Sequence, residues 1–511
     1  MCPSAAGTTR ATVLVGQNVA GVGVIAGAQT AGAPGVAALS ISEITNNPFL
    51  IRNQTRIRDF KIIADTKTNT ESFYIQDDFK LSRNITLLGG LRWDYQQAFG
   101  KPGEGEPLKL NNFRHNMQPR LGFIWDFTGK GKGKLFANYA RYVETPIPLD
   151  VNVRALSDTA QTDVQIRIDR YFPTGAGVTT GLSGATTPGG PSVSIAAQNL
   201  GHSHTPPDAG LRPQTLNDFT GGVEFEVAPD LVLGARGIYR AQDNVIEDGS
   251  FDDGDSYFLF NPGDRRPGST EDLACLGDAA TGRAPQCFGY ARRYYRALEL
   301  TATKRFSNNY QFIASYVFSS LTGNYEGLFR NDNGQSDPNI TSLFDLTSLL
   351  ANTYGRLPND KPHQLKFDGS YRWSFGLLTS ASFRAQSGRP FDALIGHPLY
   401  GANEGFAVPR GTAITPLDAP GGIKAGSNRS PTTYQLDLGG YYPIKFSETR
   451  QLRFTADWFN VLNSQRAVIQ DNTFTLPSGA AGVPDIPNVF YGQGTIFQYP
   501  STLRLGVKFQ F

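Results

Sequence analysis

Thirteen segments of this chain alternate apolar and polar residues, and the connections between them are in turn very short and very long. ESFYIQDDFKL and ITLLGGLRWDY are separated by SRN, PRLGFIWDF and KLFANYARY by TGKGKG, TLNDFTGGVEFEV and LVLGARGIYR by APD. YRALELTATKRF and YQFIASYVFSS flank SNN, HQLKFDGSYRW and LLTSASFRAQS flank SFG, and YQLDLGGYYPI and QLRFTADWFNVL flank KFSETR; STLRLGVKFQF closes the chain unpaired. Between the pairs run long segments at about 97–117, 145–213, 241–292, 326–361, 389–431 and 465–498, rich in Gly, Pro, Asp, Asn and Ser. Period-two alternation is the pattern of a strand whose two faces meet different surroundings. Repeated long structureless loops argue against a compact soluble domain. They fit an antiparallel transmembrane β-barrel, whose turns are short on the periplasmic side and long outside the cell. No blade-like repeat of constant length supports a propeller, and a soluble sandwich is the remaining competitor.

Bulk composition allows this reading. Across 511 residues the net charge is +2, so no global field points to nucleic acid. A mean hydropathy of −0.31 looks soluble, but a polar lumen face dilutes the average of a barrel. No apolar run approaches the ~20 residues a spanning helix needs. The 34 Phe and 21 Tyr against two Met favour strands, and 56 Gly with 32 Pro supply turns. Residues 11–42 lack charge, but Gln17, Asn18 and the glycines make a poor signal helix; a Gly/Ala-rich loop is the reading taken.

The two faces of each strand differ in kind. In the last strand Leu503, Leu505, Val507, Phe509 and Phe511 oppose Arg504, Gly506, Lys508 and Gln510. The polar faces elsewhere carry arginine or lysine beside carboxylates: Arg92 and Asp94, Glu224, Arg236, the set Lys366, Asp368 and Arg372, and Arg453 with Asp457. Together with Arg504 and Lys508, these are expected to face a lumen, where neighbouring strands pair opposite charges. Aromatics near strand ends, such as Trp93, Tyr95, Tyr371, Trp373 and Trp458, suit girdles at the lipid–water boundary.

YIQDDFKLSRNITLLGGLRWDY resembles a stretch typical of TonB-dependent outer-membrane receptors, and PRLGFIWDF with KLFANYARYVE is similar to their next hairpin. LRPQTLNDFTGGVEFEVAPDLVLGARGIYR and FTADWFNVLN fit as well. ALELTATKRFSNNYQFIASYVFSS, NYEGLFRNDNGQSDPNITSLFD and PHQLKFDGSYRWSFGL look most like the Oar-like subgroup. The resemblance implies a bacterial outer-membrane location, a barrel of about 22 strands with a plug, import of a scarce ligand and energy from TonB. It also implies that Phe509 and Phe511 end a strand read by the barrel-insertion machinery. No plug or TonB box is visible, and residues 1–68 are too short to hold them. The expectation is therefore a partial, all-β barrel: about thirteen strands over residues 69–511, with 1–68 the remainder of an extracellular loop. The contact with TonB would run through a missing N-terminal region, and the transported ligand is unidentified. A passive porin-like or adhesion barrel, complete in itself with one more strand from residues 1–68, is the alternative.

Other motifs carry less. EDGSFDDGDS (Glu247, Asp248, Asp252, Asp253, Asp255) and NDNGQSD (Asp332, Asn333, Asp337) offer oxygen ligands without the spacing of a calcium loop. His202 and His204 lack a third ligand. In TGKGKGK, Lys134 is followed by Leu135, so no phosphate loop is formed. No nucleophile–base grouping suggests an enzyme, and no metal or cofactor is expected. Cys275 and Cys287 lie in one long segment, where an oxidising periplasm favours a disulfide.

Overall fold

The computed structural model describes residues 54–62, 67–99, 108–110, 113–145, 147, 159–169, 173–174, 177–178, 192–200, 206–251, 257–277, 285–327, 330–334, 341–397, 401–412, 414, 428–447, 450–476 and 485–511. Thirteen strands form one antiparallel sheet in strict chain order. They are β1 Lys67–Lys80, β2 Ile85–Phe99, β3 Met117–Trp125, β4 Gly133–Val143, β5 Thr215–Ala228, β6 Leu231–Asp243 and β7 Arg293–Ser307. β8 Tyr310–Gly323, β9 His363–Arg372, β10 Leu378–Gln386, β11 Thr433–Lys445, β12 Gln451–Phe459 and β13 Thr502–Gln510 complete the series. Two short strands, Leu108–Leu110 on β2 and Gly355–Arg356 on β8, bring the sheet to 15. Among the described residues no pairing joins β1 to β13, so the sheet is an arc with two edges.

Turn chemistry fixes the short ends. Asn308 and Asn309 both have positive φ (51° and 69°), the geometry that matches the twist of a two-residue hairpin between β7 and β8. Register then puts apolar residues on one side through the whole arc: Phe219 opposes Tyr239, Leu365 opposes Ala385, and Leu452, Phe454, Ala456 and Trp458 oppose Phe509, Val507, Leu505 and Leu503. Leu88 breaks the pattern on the polar side. A Cβ on the facing Gly122 would lie 2.8 Å from Leu88 Cδ1, so that glycine makes the room this side chain needs.

Burial is inverted relative to a soluble protein. Leu505 is 72% and Val507 65% exposed, and Phe73, Ile75, Leu121 and Phe318 on the same face are exposed as well. The buried apolar residues lie instead in the long segments and at the strand ends they join. Val245, Phe251, Phe258, Phe260, Phe288, Tyr325, Leu343, Phe344, Leu394 and Phe406 form one cluster. Ala98, Leu108, Leu110, Ile147, Leu211, Ile246 and Leu259 form a second, and Phe391, Ala393 and Tyr491 a third. Composition suggested weakly patterned loops; they are an assembled cap with cores of their own. Exposed apolar strands and a packed cap make sense together only if hydrocarbon surrounds the sheet and water surrounds the cap.

A separate three-stranded sheet pairs Gln54–Ile62 and Ser192–Leu200 with Thr159–Asp169. Residues 1–68 were expected to be loop. Instead Gln54–Ile62 is a strand, paired outside the arc, and Lys67 and Thr68 already belong to β1.

Candidate functional site

The polar face of the arc carries a ladder of ion pairs, the first within β2 and the others between neighbouring strands. Arg92 meets Asp94 at 2.8 Å and donates to the Ser72 hydroxyl at 2.8 Å. Lys134 meets Glu224 at 2.9 Å, Arg236 meets Glu299 at 2.5 Å, and Arg240 meets Asp218 at 2.5 Å. Arg384 pairs with Asp368 at 2.7 Å, and Arg504 with Asp457 at 2.7 Å. Each carboxylate singled out in the sequence is thus brought to a cation, but the partners Lys134, Glu299 and Arg384 were not anticipated. They sit on adjacent strands in residues whose own strand looks unremarkable. The remaining cations are not ion-paired in this way. Lys366 stands opposite Arg384 and Lys508 opposite Arg453 in register. Arg372 lies over the Phe306 ring at 5.3 Å and Arg453 over Tyr441 at 5.9 Å.

Where the polar face reaches the cap, it meets a buried charge network that sequence reading missed. Arg330 and Arg410 both lie over the Phe406 ring, at 5.3 and 4.5 Å. Arg330 bonds Asp332 at 2.8 Å and Glu404 at 2.6 Å; Arg410 bonds Glu326, Asp332 at 2.6 Å, and approaches Asp392 at 3.6 Å. Two cations face four carboxylates out of water, so the carboxylates divide. Burial raises Glu326 to about 7, Asp392 to about 6, and Glu404 above its ordinary range. Burial also acts on Asp332, but Arg330 and Arg410 outweigh it and hold this carboxyl below the usual value. Asp332 is therefore the network's resident anion, committed to two guanidinium groups rather than to a cation from solution.

Between this network and the strand ends lies a polar cavity of about 530 Å³, lined by Glu144, Gln214, Arg293, Glu326, Asn331 and Asn359 among others. The Gln214 amide donates to the Glu144 carboxylate, which burial pushes up, and Arg293 donates to the Glu326 carbonyl. The Asn331 backbone N–H donates to the Glu326 carboxylate at 2.7 Å. Such a site can read a polar ligand by hydrogen bonds. Among the described residues no group of three or more His, Cys, Asp or Glu has metal-holding geometry.

Cys275, in the last turn of the helix Thr270–Leu276, is joined to Cys287, with Cα atoms 4.8 Å apart. Glu247 accepts from the Thr341 backbone N–H at 2.7 Å. The Phe509 and Phe511 rings stack at 6.0 Å at the chain end. His202, His204, Asp252, Asp253, Asp255 and Asp337 lie outside the described residues.

Residues 99–397 match the family described as outer membrane beta barrel domain. The chain is 30% identical over 441 residues to the TonB-dependent transporter Oar of Myxococcus xanthus, covering 82% of this chain and 38% of that protein. It thus spans about two fifths of the length of this curated relative. Among solved structures it is similar to the outer membrane transporter YddB from Escherichia coli (14% identity, TM-score 0.49, 87% of this chain and 45% of the other). It is likewise similar to the ferric-catecholate import receptor Fiu from E. coli K12 (14%, 0.46, 88% and 45%).

Proposed function

Because this chain belongs to the outer membrane beta barrel domain family and is a relative of a TonB-dependent transporter, we propose that it supplies wall strands and the ligand-facing cap of an importing barrel. The ion-paired face lines the lumen in this reading: Arg92, Asp94, Glu224, Arg236, Lys366, Asp368, Arg372, Arg453, Asp457, Arg504 and Lys508 point inward. The ligand is a polar solute that meets the cavity at Glu144 and Arg293 on its way in. Plug and TonB contact belong to parts of the whole transporter beyond the matched 38%, and Phe509 and Phe511 present the last strand to the insertion machinery. The observation that carries the proposal is the inversion of burial: lipid-type side chains outside on the strands, and a packed cap at the end where all the long segments meet. The open arc, with β1 and β13 unpaired to one another, favours this over a small barrel complete in itself.

Two measurements test it. An epitope inserted after Gly268 in the cap should bind antibody on intact cells, and one after Gly131 in a short turn only after permeabilisation; the reverse pattern overturns the orientation. Strains lacking this gene and strains lacking TonB should leave one shared solute unconsumed in the medium, and no shared solute overturns import.

A further inference from the structure

On the apolar face, three adjacent strands place small residues side by side: Ala137 opposes Gly221, which opposes Gly237. They floor a groove of about 790 Å³ walled by Leu298 and Phe318. The glycines are not required by packing. A Cβ on Gly237 would approach only the Gly221 carbonyl oxygen, at 4.0 Å. One residue pair towards the cap, the rings of Tyr139, Phe219 and Tyr239 form a shelf with centroids 4.5 and 6.1 Å apart. Arg296 continues the row, exposed, 5.7 Å over Tyr239. At the other end of the shelf, beside Tyr139 on β4, three strands from Arg296 and one residue pair nearer the cap, stands Arg141, its Nε buried with no hydrogen-bond partner, at the edge of a second depression of about 520 Å³. That depression also holds Arg114, Arg212 and Arg292, against Asp243 and Asp264, of which Asp264 pairs with Arg212 at 3.4 Å. His115, in the turn beside it, is held below its ordinary pKa by burial and then by Arg212 and Arg141.

A cation on a lipid-facing strand is costly unless an anion meets it. At roughly 3.3 Å per residue, Arg296 lies about 10 Å from the cap end and Gly237, level with Leu298, about 17 Å. That is the order in which a lipid of the outer leaflet presents its phosphate and its chains. We propose that this surface binds a phosphorylated acyl lipid of the outer leaflet. Acyl chain fills the groove over Gly221 and Gly237, and phosphate groups are bound at the two ends of the shelf, one by Arg296 and one by Arg141. The aromatic shelf packs on the boundary between the two. The commitment to lipid rather than free phosphate rests on the groove, whose floor and walls are apolar and continuous by register with the arginines.

The test uses the full chain extracted from membranes with a diphosphorylated acyl glycolipid added, and reads retained lipid by native mass spectrometry. Wild type should retain about one lipid per chain, and the dephosphorylated lipid at least tenfold less. Arg296→Gln with Arg141→Gln, and separately Gly237→Leu, should each lower retention about tenfold. Gly440→Leu, on the same face far along the sheet where a Cβ meets only the Leu378 carbonyl at 3.7 Å, should not change it. Heat-modifiable gel mobility checks that each variant keeps its sheet, and the groove and arginine variants test the idea independently if one misfolds. Equal retention of both lipids, equal retention by all variants, or displacement by millimolar inorganic phosphate would overturn the proposal.

Discussion

Arg410 and Asp332 are 78 residues apart in the chain and share a 2.6 Å ion pair with neither side chain reaching solvent. Removing one member of a buried pair leaves the other charge uncompensated, at a cost of roughly 3–5 kcal/mol. Arg410→Met should therefore loosen the cap while the sheet persists. Limited proteolysis should cut within 326–361 and 389–412 at least tenfold faster, with heat-modifiable mobility retained. An unchanged cleavage rate would show that the network contributes little.

Stability of the cap should fall as pH rises. Burial raises Glu271 from 4.5 to about 7, against the Gly263 backbone N–H that donates to it at 2.7 Å. The folded cap holds this proton more tightly than the unfolded chain does. Its contribution is thus fully present below pH 4.5 and is lost as pH rises through about 7. Glu326 shifts in the same direction. The urea midpoint for protease access to 257–277 should be higher at pH 5 than at pH 8, and Glu271→Gln should flatten the difference.

The Cys275–Cys287 bond closes a segment of 12 residues' separation. In the chain-entropy account a loop of that size is restrained by about 3 kcal/mol. Neither thiol should react with an impermeant maleimide on intact cells until reductant is added. Cys275→Ser should speed proteolysis of the helix Thr270–Leu276 that carries it. Labelling of both thiols without reductant would contradict the bond.

Arginine should be tolerated unequally on the two faces of the final hairpin. Val507→Arg puts a cation among Phe454, Leu505 and Phe509 and should cost roughly 2–4 kcal/mol near the midplane. Gly506 is a poor comparison, because any Cβ there meets the Thr455 hydroxyl at 2.6 Å. Thr455→Arg, directly opposite and beside Asp457, places the charge on the polar face and should cost less. Equal loss of folded protein in a urea titration would count against the assignment of faces.

The strands were legible because their side chains answer to two solvents at period two, so Leu505 and Arg504 report their faces from spacing alone. Thirteen were expected and thirteen form the path of the sheet. The cap was not legible. Phe258, Leu259 and Phe260 are consecutive buried residues with no periodicity to reveal them, and they pack on partners such as Phe344 and Phe288 from distant or irregular chain. Little of the charge network left a local trace either. Arg330 and Glu404 are 74 residues apart, and Asp332, read in sequence as a possible cation ligand, is taken by Arg330 two residues away and by Arg410, 78 residues on. The polar-face candidates fall between these cases. Alternation gave the side, but their partners depend on register, and register depends on turns such as Asn308–Asn309.

The three apolar clusters of the cap draw on every long segment: 97–117 through Leu108, 145–213 through Ile147, 241–292 through Phe260, 326–361 through Phe344, 389–431 through Leu394 and 465–498 through Tyr491. Neighbours along the chain, Val245 with Ile246, Leu259 with Phe260, and Ala393 with Leu394, tie one cluster to the next. None of these clustered residues can swing aside without breaking a shared interior. The cap is one joined canopy, and a binder gripping any one finger of it holds all six.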